Sequence, residues 1–416
     1  MGRNCLIISY YFPPAGGGGV QRWTKLIKYL SPLGWNFTVI SAETDTMLPE
    51  DNSLVKELPG EIKVIRIHSA QPAKSLQKQQ RETSYWKRWL SAFFYITDSR
   101  IKWNKYAYPV ILEELNRANY DVIVVSIPPY TVSSIAADLS ETRKEPVVLD
   151  MRDPWTINPY KIYPTPLHRH LDQKREVRTI SKVNYLVSAY NSITEHYKSI
   201  MPGFEKKKSI IISNGYDSDD IPDMHLNKDR LESRFNLGFS GTFYSHLNRP
   251  DNLFEAIRRL KNRDENIHFY HIGKSAYDLK AVARKYKIEH FVHATGYLSH
   301  ENCIVKLQTM DAFVLILDDR IRHAEKTIGG KVYEYLALKK PILALIPEEG
   351  EAADFIRFTD SGIVCPYSNI NRICEALQLL LSGKKTFYFN HIEQYTRKNL
   401  AARLGDFFNE IIHSRS

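Results

Sequence analysis

The chain has 416 residues, of which 43% are hydrophobic and 25% are charged. This composition is typical of a globular protein rather than a disordered one, and the length favours two domains over one. The 57 basic and 47 acidic residues give a net charge of +10, which favours anionic partners such as nucleotides, nucleic acids or acidic lipid headgroups.

Two further features concern the compartment. No apolar run reaches the ~18 residues of a membrane-spanning helix, and the N-terminus lacks the pattern of a signal peptide, so we expect neither a transmembrane anchor nor secretion. The four cysteines are scattered and none lies in a C-x-x-C pair. This usage indicates a reducing cytosol and argues against a structural zinc site.

Short apolar runs recur along the chain at intervals that leave room for helices, which predicts parallel strands buried on both faces. In the first half they occupy 5–10, 37–40, 62–65, 122–125, 147–150, 185–187 and 210–212. In the second half they occupy 237–240, 267–270, 291–292, 313–316, 342–345 and 363–364. After the first run, the spacing of Val20, Trp23, Leu26, Ile27 and Leu30 predicts an amphipathic helix.

A turn-rich acidic segment at 213–217 separates the two sets of strands. We therefore predict an α/β protein with two Rossmann-like domains, at 1–215 and 216–395, whose parallel sheets face a cleft between the domains. Ligands of such sheets bind beyond the carboxyl ends of the strands. The last amphipathic helix, at about 396–416, has a pattern that allows it to pack on either domain.

A glycine-rich loop follows the first predicted strand. Gly16, Gly17, Gly18 and Gly19 stand directly before the first predicted helix, where they allow close approach of a ligand and leave helix N–H groups free for an anion or a sugar. The run does not match G-x-G-x-x-G well, and no Walker A lysine follows it. A flexible turn between strand and helix is the alternative.

A second candidate segment lies at 324–341. Its Gly329-Gly330 pair opens a helix in which Lys331 and Glu334 share one face. The helix start and Lys331 suit phosphates, and the Glu334 carboxylate suits ribose hydroxyls. A surface ion pair between Lys331 and Glu334 is the alternative.

A third candidate segment lies at 239–253, where a predicted strand ends at Gly241. The loop beyond it carries Arg249, and Asp251 can cap the helix that follows. An arginine in such a loop can bind a diphosphate through two hydrogen bonds, although a solvated surface arginine has the same local sequence.

Together these motifs resemble the retaining glycosyltransferases of family 4. The resemblance rests on the Pro-Pro-x-Gly-Gly-Gly loop with its downstream Arg, the Asn-Gly-Tyr-Asp linker, the Ser-Gly-Thr-Phe-Tyr loop and the Lys-Val-Tyr-Glu-Tyr-Leu-Ala-Leu-Lys-Lys-Pro block, in that order over nearly the whole chain. It implies the GT-B architecture, in which the last helix crosses back onto the N-terminal domain. It also implies transfer from a UDP- or GDP-sugar to a glycan or lipid-linked acceptor in cell-surface polysaccharide synthesis.

The resemblance also implies roles for individual residues. Arg249 corresponds to the cation that neutralises the leaving diphosphate, Lys331 to a second cation, and Glu334 to the second Glu of the E-x7-E motif, which binds the donor ribose. The loops that contact the donor comprise Gly16, Gly17, Gly18, Gly19, Gly241, Thr242, Thr327, Ile328, Gly329 and Gly330. The family uses no metal and no cofactor beyond the nucleotide sugar, so we expect none.

Two positions depart from the family pattern. The first Glu of E-x7-E is replaced by Lys326, with Glu325 one residue out of register. The family histidine near the reacting sugar is also missing. Asp153 or Arg152 can take its place, and we assign Asp153 to it. A turn residue before Pro154 is the alternative role for Asp153.

The acidic segment raises a competing interpretation. Asp217-Ser218-Asp219 is a D-x-D sequence, the signature of metal-dependent transferases of another fold. Because it lies where the domains should join, we interpret it as an acidic linker. A nucleotide-sugar 2-epimerase of the same architecture and a catalytically inactive nucleotide-binding scaffold are the other candidate functions, and no nucleic-acid-binding module is recognisable.

A basic aromatic stretch at 81–105 predicts contact with an anionic membrane surface. A second basic cluster, at Arg169, Lys174, Arg175, Arg178 and Lys182, adds to it. The alternative is a core helix with a solvated face. We therefore expect a cytoplasmic enzyme that binds peripherally to the inner face of the membrane.

Overall fold

The computed structural model describes residues 2–43, 50–68, 85–221, 234–244, 247–261 and 266–414. The chain divides into two compact units, one formed by Met1–Asn214 with Arg397–Ser416 and the other by Gly215–Thr396. Arg81 to Ser84, at the start of the basic aromatic stretch, lie outside the described residues.

The first unit is built on a parallel sheet that has seven strands in the described residues, in the order β3-β2-β1-β4-β5-β6-β7. The strands are β1 Arg3–Ser9, β2 Trp35–Ala42, β3 Lys63–Ile67, β4 Val122–Ile127, β5 Val147–Met151, β6 Tyr185–Ser188 and β7 Lys208–Ile211. Every residue of β4 and β5 is buried, as expected for strands covered on both faces.

The second unit is built on a parallel sheet that has six strands in the described residues, in the order β10-β9-β8-β11-β12-β13. The strands are β8 Phe235–Ser240, β9 Ile267–Ile272, β10 Val292–Gly296, β11 Ala312–Ile316, β12 Ile342–Leu345 and β13 Gly362–Cys365. The prediction of two Rossmann-like parallel sheets is therefore confirmed, and each predicted apolar run overlaps a strand.

Helices connect successive strands. In the first unit they are α1 Gly18–Leu30, α2 Ser53–Lys56, α3 Tyr85–Phe94, α4 Ile101–Arg117, α5 Ser133–Thr142, α6 Pro166–Lys182 and α7 Asn191–Ile200. In the second unit they are α8 Asp251–Lys261, α9 Leu279–Lys285, α10 His300–Gln308, α11 Lys331–Ala337, α12 Glu351–Phe358 and α13 Ile370–Leu381. The last helix, α14 Arg397–His413, belongs to the first unit.

Helix α14 packs against α1 at the end of the first sheet. Gly405 packs closely against the side chains of Leu30 and Trp35. The rings of Phe408 and Trp35 pack edge to face, with their centroids 5.3 Å apart. The side chains that α14 contributes to the core are Leu400, Ala401, Leu404, Phe407, Phe408 and Ile411. Burial of this apolar stripe holds the C-terminal segment on the first unit.

Both sheets reverse their strand order beside their first strand, between β1 and β4 and between β8 and β11. Connections to the two sides of such a sheet diverge at this point and leave a crevice beyond the carboxyl ends of the strands. The loops that follow β1, β5, β8 and β11 carry the residues singled out in the sequence.

No helix in the described ranges is both long enough and apolar enough to cross a bilayer.

Candidate functional site

The glycine-rich loop of the first unit is anchored at its start and open at its end. The carbonyl of Pro14 accepts a hydrogen bond from the N–H of Asp51 at 2.8 Å, and Ala15 pairs with Glu50 in an isolated bridge. Gly17 has a φ of +106°, which favours glycine, and α1 begins at the next residue. Gly17, Gly18 and Gly19 are exposed, so the start of α1 is accessible to a ligand.

A buried ion pair ties α1 to the carboxyl end of β5. Asp150 and Arg22 are 0% and 1% exposed, and the guanidinium donates to Asp150 through Nε at 3.1 Å and Nη2 at 2.8 Å. Trp23 Nε1 and Ser126 Oγ donate to the same carboxylate at 2.8 and 2.9 Å. The arginine downstream of the glycine loop is therefore a structural residue that sets the position of α1.

The loop after β5 meets the glycine loop through Arg152. This buried side chain donates to the carbonyls of Gly19 and Ile127, and burial lowers the pKa of its guanidinium. Asp153, the next residue, is half-buried and accepts a long hydrogen bond from Tyr190 at 3.4 Å. Burial raises the pKa of the Asp153 carboxyl above its ordinary value, while the adjacent Arg152 charge opposes that shift.

Two fully buried carboxylates on α6 hold the loop beyond Asp153. Asp172 accepts from Thr97 Oγ1 at 2.8 Å, from Tyr163 at 2.6 Å and from Lys161 at 2.5 Å. Glu176 accepts from Tyr197 at 2.9 Å and from the hydroxyl of Thr156. Acidic residues this deeply buried are found where they are paired, and here they fix the backbone of the segment that carries Asp153.

In the second unit, the loop after β8 and the start of α11 come together at Gly241 and Lys331. Gly241 has a φ of +110°, and a Cβ at this position would lie 2.5 Å from Lys331 Nζ. The ammonium lies 4.1 Å from the centroid of the Phe239 ring. The backbone conformation at position 241 therefore favours glycine, and a side chain there would displace the Lys331 ammonium.

Burial shifts the protonation equilibrium of the Lys331 amine toward the neutral form. Removal from water lowers the pKa of its amine to about 8, although Glu334 works in the opposite direction. His271, near the end of β9, donates a hydrogen bond from Nε2 to the Gly241 carbonyl at 2.9 Å, because a carbonyl oxygen can only accept. Burial lowers the pKa of His271 to about 4, so it stays neutral and adds no competing charge.

Glu334 lies one turn along α11 from Lys331 and faces α10. Its Oε1 is 3.8 Å from His300 Nδ1, and the carboxylate is 23% exposed. Cys303 on α10 lies close enough that Glu334 contributes to raising the pKa of its thiol to about 12, after the larger effect of burial. The predicted Gly241, Lys331 and Glu334 are thus brought to one place in the second unit.

The loop before α11 presents backbone rather than side chains. Thr327 and Ile328 are buried, whereas Gly329 and Gly330 are exposed and have open space around their Cα atoms. The preceding segment is held by Gly350, whose φ is +103° and whose Cα packs on the carbonyl of Glu325. Glu325, the carboxylate one residue out of register, is half-buried at this packing contact.

Arg249 has partners of its own. Its Nε donates to Asp251 Oδ2 at 2.8 Å, and its guanidinium lies 4.7 Å from the centroid of the Tyr277 ring. The hydrogen bond with Asp251 raises the pKa of the Arg249 guanidinium. Asp251 is the first residue of α8, and the guanidinium retains 34% exposure toward solvent. The Thr242 carbonyl nearby accepts from Asn248 Nδ2 at 3.0 Å, which shapes the same loop.

The D-x-D segment forms a short capped turn. The Asp217 carboxylate is buried and accepts from the N–H of Asp219 at 3.1 Å, at the start of a 3-10 turn over Ser218–Asp220. Asp220 then reaches His300 Nε2 at 3.0 Å. These contacts give the segment a structural role within the second unit.

The sequence did not predict three side chains that lie near Gly241, Lys331 and Glu334 in the second unit. His271, His300 and Cys303 lie on β9 and α10, away from the glycine loops in sequence. His271 had a detectable signal, because a histidine at the end of an otherwise apolar strand is a polar side chain in a buried run. His300 and Cys303 had none, since their role depends on where α10 meets α11.

The second unit is similar to a known protein family. Residues 234–383 match a protein family described as Glycosyl transferases group 1. The match covers this segment of the second unit and not the rest of the chain. The segment contains Gly241, Thr242, Arg249, Lys331 and Glu334, so the proposed donor residues of the second unit all lie within the matched region. No protein of curated function matches the sequence.

Solved glycosyltransferase structures resemble the chain over nearly its full length. Anabaena HepE in complex with UDP and glucose has a TM-score of 0.68 at 13% identity, covering 98% of this chain and 100% of that one. A Rickettsia africae glycosyltransferase has a TM-score of 0.62 at 16% identity, covering 99% of each chain. The apo form of the lipopolysaccharide outer core galactosyltransferase WaaB has a TM-score of 0.60 at 13% identity, covering 98% of this chain and 99% of that one. At these identities the likeness establishes the fold, which is GT-B.

The buried ion pair of the first unit yields a stability prediction. We expect Arg22→Met to destabilise that unit by about 3–5 kcal/mol, because Asp150 is left as an uncompensated buried charge. The double variant Arg22→Met/Asp150→Asn should recover part of the loss, since the charge is then removed. Urea unfolding of the two variants measures both effects. Equal destabilisation by the exposed control Arg357→Met would contradict this explanation.

Proposed function

We propose that the chain is a retaining glycosyltransferase that transfers a sugar from a UDP- or GDP-sugar to a glycan or lipid-linked acceptor in cell-surface polysaccharide synthesis. The observation that carries the proposal is the convergence of Gly241, Lys331 and Glu334 inside the segment that matches the group 1 glycosyltransferase family. The cation suits a diphosphate and the carboxylate suits ribose hydroxyls. HepE, one of the structural neighbours, was solved with UDP and glucose, which supports a nucleotide-sugar donor.

The proposed chemistry depends on fixed positive charge. As the bond between the anomeric carbon and the diphosphate breaks, negative charge accumulates on the departing phosphate, and Lys331 with Arg249 would stabilise it. The acceptor oxygen would bond to the anomeric carbon from the same face, and its proton would pass to the leaving phosphate. This scheme requires no metal ion.

For the first unit, we propose that it binds the acceptor and that Asp153, at the carboxyl end of its sheet, lies near the reacting sugar. The Gly16 to Gly19 loop at the same end of the sheet would contact the donor. The support is the chain of contacts in which Arg152 joins the Gly19 carbonyl to the segment that carries Asp153. The raised pKa of Asp153 suits a group near a sugar hydroxyl more than a group that must hold a permanent charge.

A nucleotide-binding experiment tests the donor site. With EDTA present, UDP, GDP or one of their sugars at 100 times its dissociation constant should stabilise the protein by ~2.7 kcal/mol in a thermal melt. Glu334→Ala should abolish the shift by removing the ribose ligand, while the exposed control Glu375→Ala should retain it. A panel in which no nucleotide acts, or acts only with a divalent metal, would contradict the assignment. Release of an epimerised nucleotide sugar would instead identify an epimerase.

The pKa of Lys331 predicts a pH dependence of donor binding. A diphosphate requires the charged amine, so affinity is full below pH 8 and falls as the pH rises through the value of about 8 for the free protein. We expect the dissociation constant of the nucleotide sugar to be about tenfold higher at pH 9 than at pH 7. Lys331→Arg stays charged and should show a flat profile, which also reports any titration of the nucleotide. A flat wild-type profile would refute the phosphate role of Lys331.

We also propose that the protein binds peripherally to anionic membrane on the cytoplasmic side. On α3, Trp86, Leu90 and Phe94 are 72%, 52% and 71% exposed, and Lys87 is exposed beside them. The α3 helix lies next to the start of α6, because His168 Nε2 is 3.1 Å from the Phe93 carbonyl. The start of α6, the helix that carries the basic cluster, therefore lies close to the end of α3. Trp103, by contrast, is 2% exposed and belongs to the core.

Vesicle sedimentation tests membrane binding. Phosphatidylglycerol vesicles should bind the protein and neutral phosphatidylcholine vesicles should not, and binding should weaken at high salt. Trp86→Ser/Phe94→Ser should lower the affinity at least tenfold. The matched control is Tyr388→Ser, which removes an aromatic ring of equal 72% exposure from the second unit. Equal binding of all the variants would eliminate α3 as the contact surface.

A further inference from the structure

His300 connects the proposed ribose carboxylate to the acidic turn at 217–220. It is the first residue of α10, and its imidazole lies between two carboxylates: Nε2 is 3.0 Å from Asp220 Oδ2, and Nδ1 is 3.8 Å from Glu334 Oε1. The three side chains are 13%, 19% and 23% exposed, so their interaction is only partly screened by water.

Chemistry sets the direction of these contacts. A carboxylate can only accept, so Nε2 carries a proton that it donates to Asp220. The other nitrogen, Nδ1, faces Glu334 at 3.8 Å, an electrostatic contact longer than a hydrogen bond. Asp220 thereby fixes the orientation of the ring, and the ring presents its second nitrogen to Glu334.

The turn that carries Asp220 and the start of α10, which carries His300, are both held in place by side-chain caps. Asp217 caps the turn that carries Asp220. Ser299 caps α10 by accepting from the N–H of Asn302 at 3.4 Å. The imidazole is therefore positioned by two capped elements, neither of which contains a predicted donor residue.

Lys331 and His300 both lie near Glu334. Lys331 precedes it by three residues on α11, a spacing at which opposite charges attract across a helix face. In the structure the Lys331 ammonium instead lies on the Phe239 ring, beside Gly241. His300 gives Glu334 a partner on the side of α10, which leaves Lys331 available for an anion.

We propose that His300, held by Asp220, is a positioning residue that orients Glu334 toward the ribose hydroxyls of the donor nucleotide. This inference rests on the proposed function, in which Glu334 is the ribose ligand. Loss of the imidazole would let Glu334 turn away from the ribose hydroxyls, so the ribose contact would be lost while the phosphate contacts of the site remained.

The decisive measurement is discrimination between ribose and dideoxyribose. Isothermal titration would compare UDP, or GDP if it binds more tightly, with its 2′,3′-dideoxy analogue. A carboxylate that binds ribose hydroxyls should make wild-type protein prefer the ribonucleotide at least tenfold. His300→Phe keeps a ring but loses both donors, and it should reduce the preference below threefold with little change in affinity for the dideoxy analogue.

Two further variants sharpen the test. Asp220→Asn should reduce the same preference, and combining it with His300→Phe should add little, because the two residues act through one contact. His290→Phe, at a histidine 87% exposed in the same unit, is the matched control and should retain the wild-type preference.

The outcomes separate this inference from the proposed function. If Glu334→Ala abolishes the ribose preference but His300→Phe retains it, the positioning role is wrong and the donor site stands. If His300→Phe weakens both nucleotides equally, its role is merely structural and the inference is also wrong. If the wild type binds no nucleotide or shows no preference, the ribose role of Glu334 fails and the inference fails with it.

Discussion

The reversal of strand order beside the first strand of each sheet is the constraint on which the candidate site depends. In the first sheet it places the loops after β1 and β5 at the carboxyl ends of the strands. In the second sheet it places the loops after β8 and β11 at the carboxyl ends of the strands. In the first unit, the N-terminus of α1 must be held at that edge against an apolar sheet. The ion pair of Arg22 with Asp150 provides the attachment, reinforced by Trp23 and Ser126. Because both charges are buried, neither can be removed alone without a large loss of stability.

The second unit meets the same constraint through close packing. Gly273 has a φ of +145°, and a Cβ at this position would collide with the Gly241 carbonyl oxygen. A Cβ on Gly241 would in turn meet the Lys331 ammonium. The lysine is thus confined between a backbone turn and the Phe239 ring. Confinement removes water from the ammonium and lowers its pKa to about 8. A cation that is poorly solvated before an anion arrives loses little hydration when it binds, which is the property a diphosphate site needs.

The contrast between Arg22 and Arg249 shows why residue type alone does not define a role. Both are arginines that follow a glycine-containing loop, but Arg22 is 1% exposed and saturated by Asp150. Arg249 shares a carboxylate with the start of α8, stacks near Tyr277 and keeps a third of its side chain exposed. An anion can therefore approach the second arginine and not the first. A similar distinction separates the exposed Trp86 from the buried Trp103, which the aromatic stretch had grouped together.

Local sequence was sufficient for the architecture, because apolar runs at regular spacing can be buried only as parallel strands covered by helices. It also located the glycine loops and the Lys331–Glu334 pair, since these depend on residues close together in the chain. Tertiary structure alone decided the partners of those residues. His300 meets Glu334, Asp220 meets His300 and Asp150 meets Arg22 across separations of 34, 80 and 128 residues. Such contacts depend on how helices pack on the sheets, which no local pattern encodes.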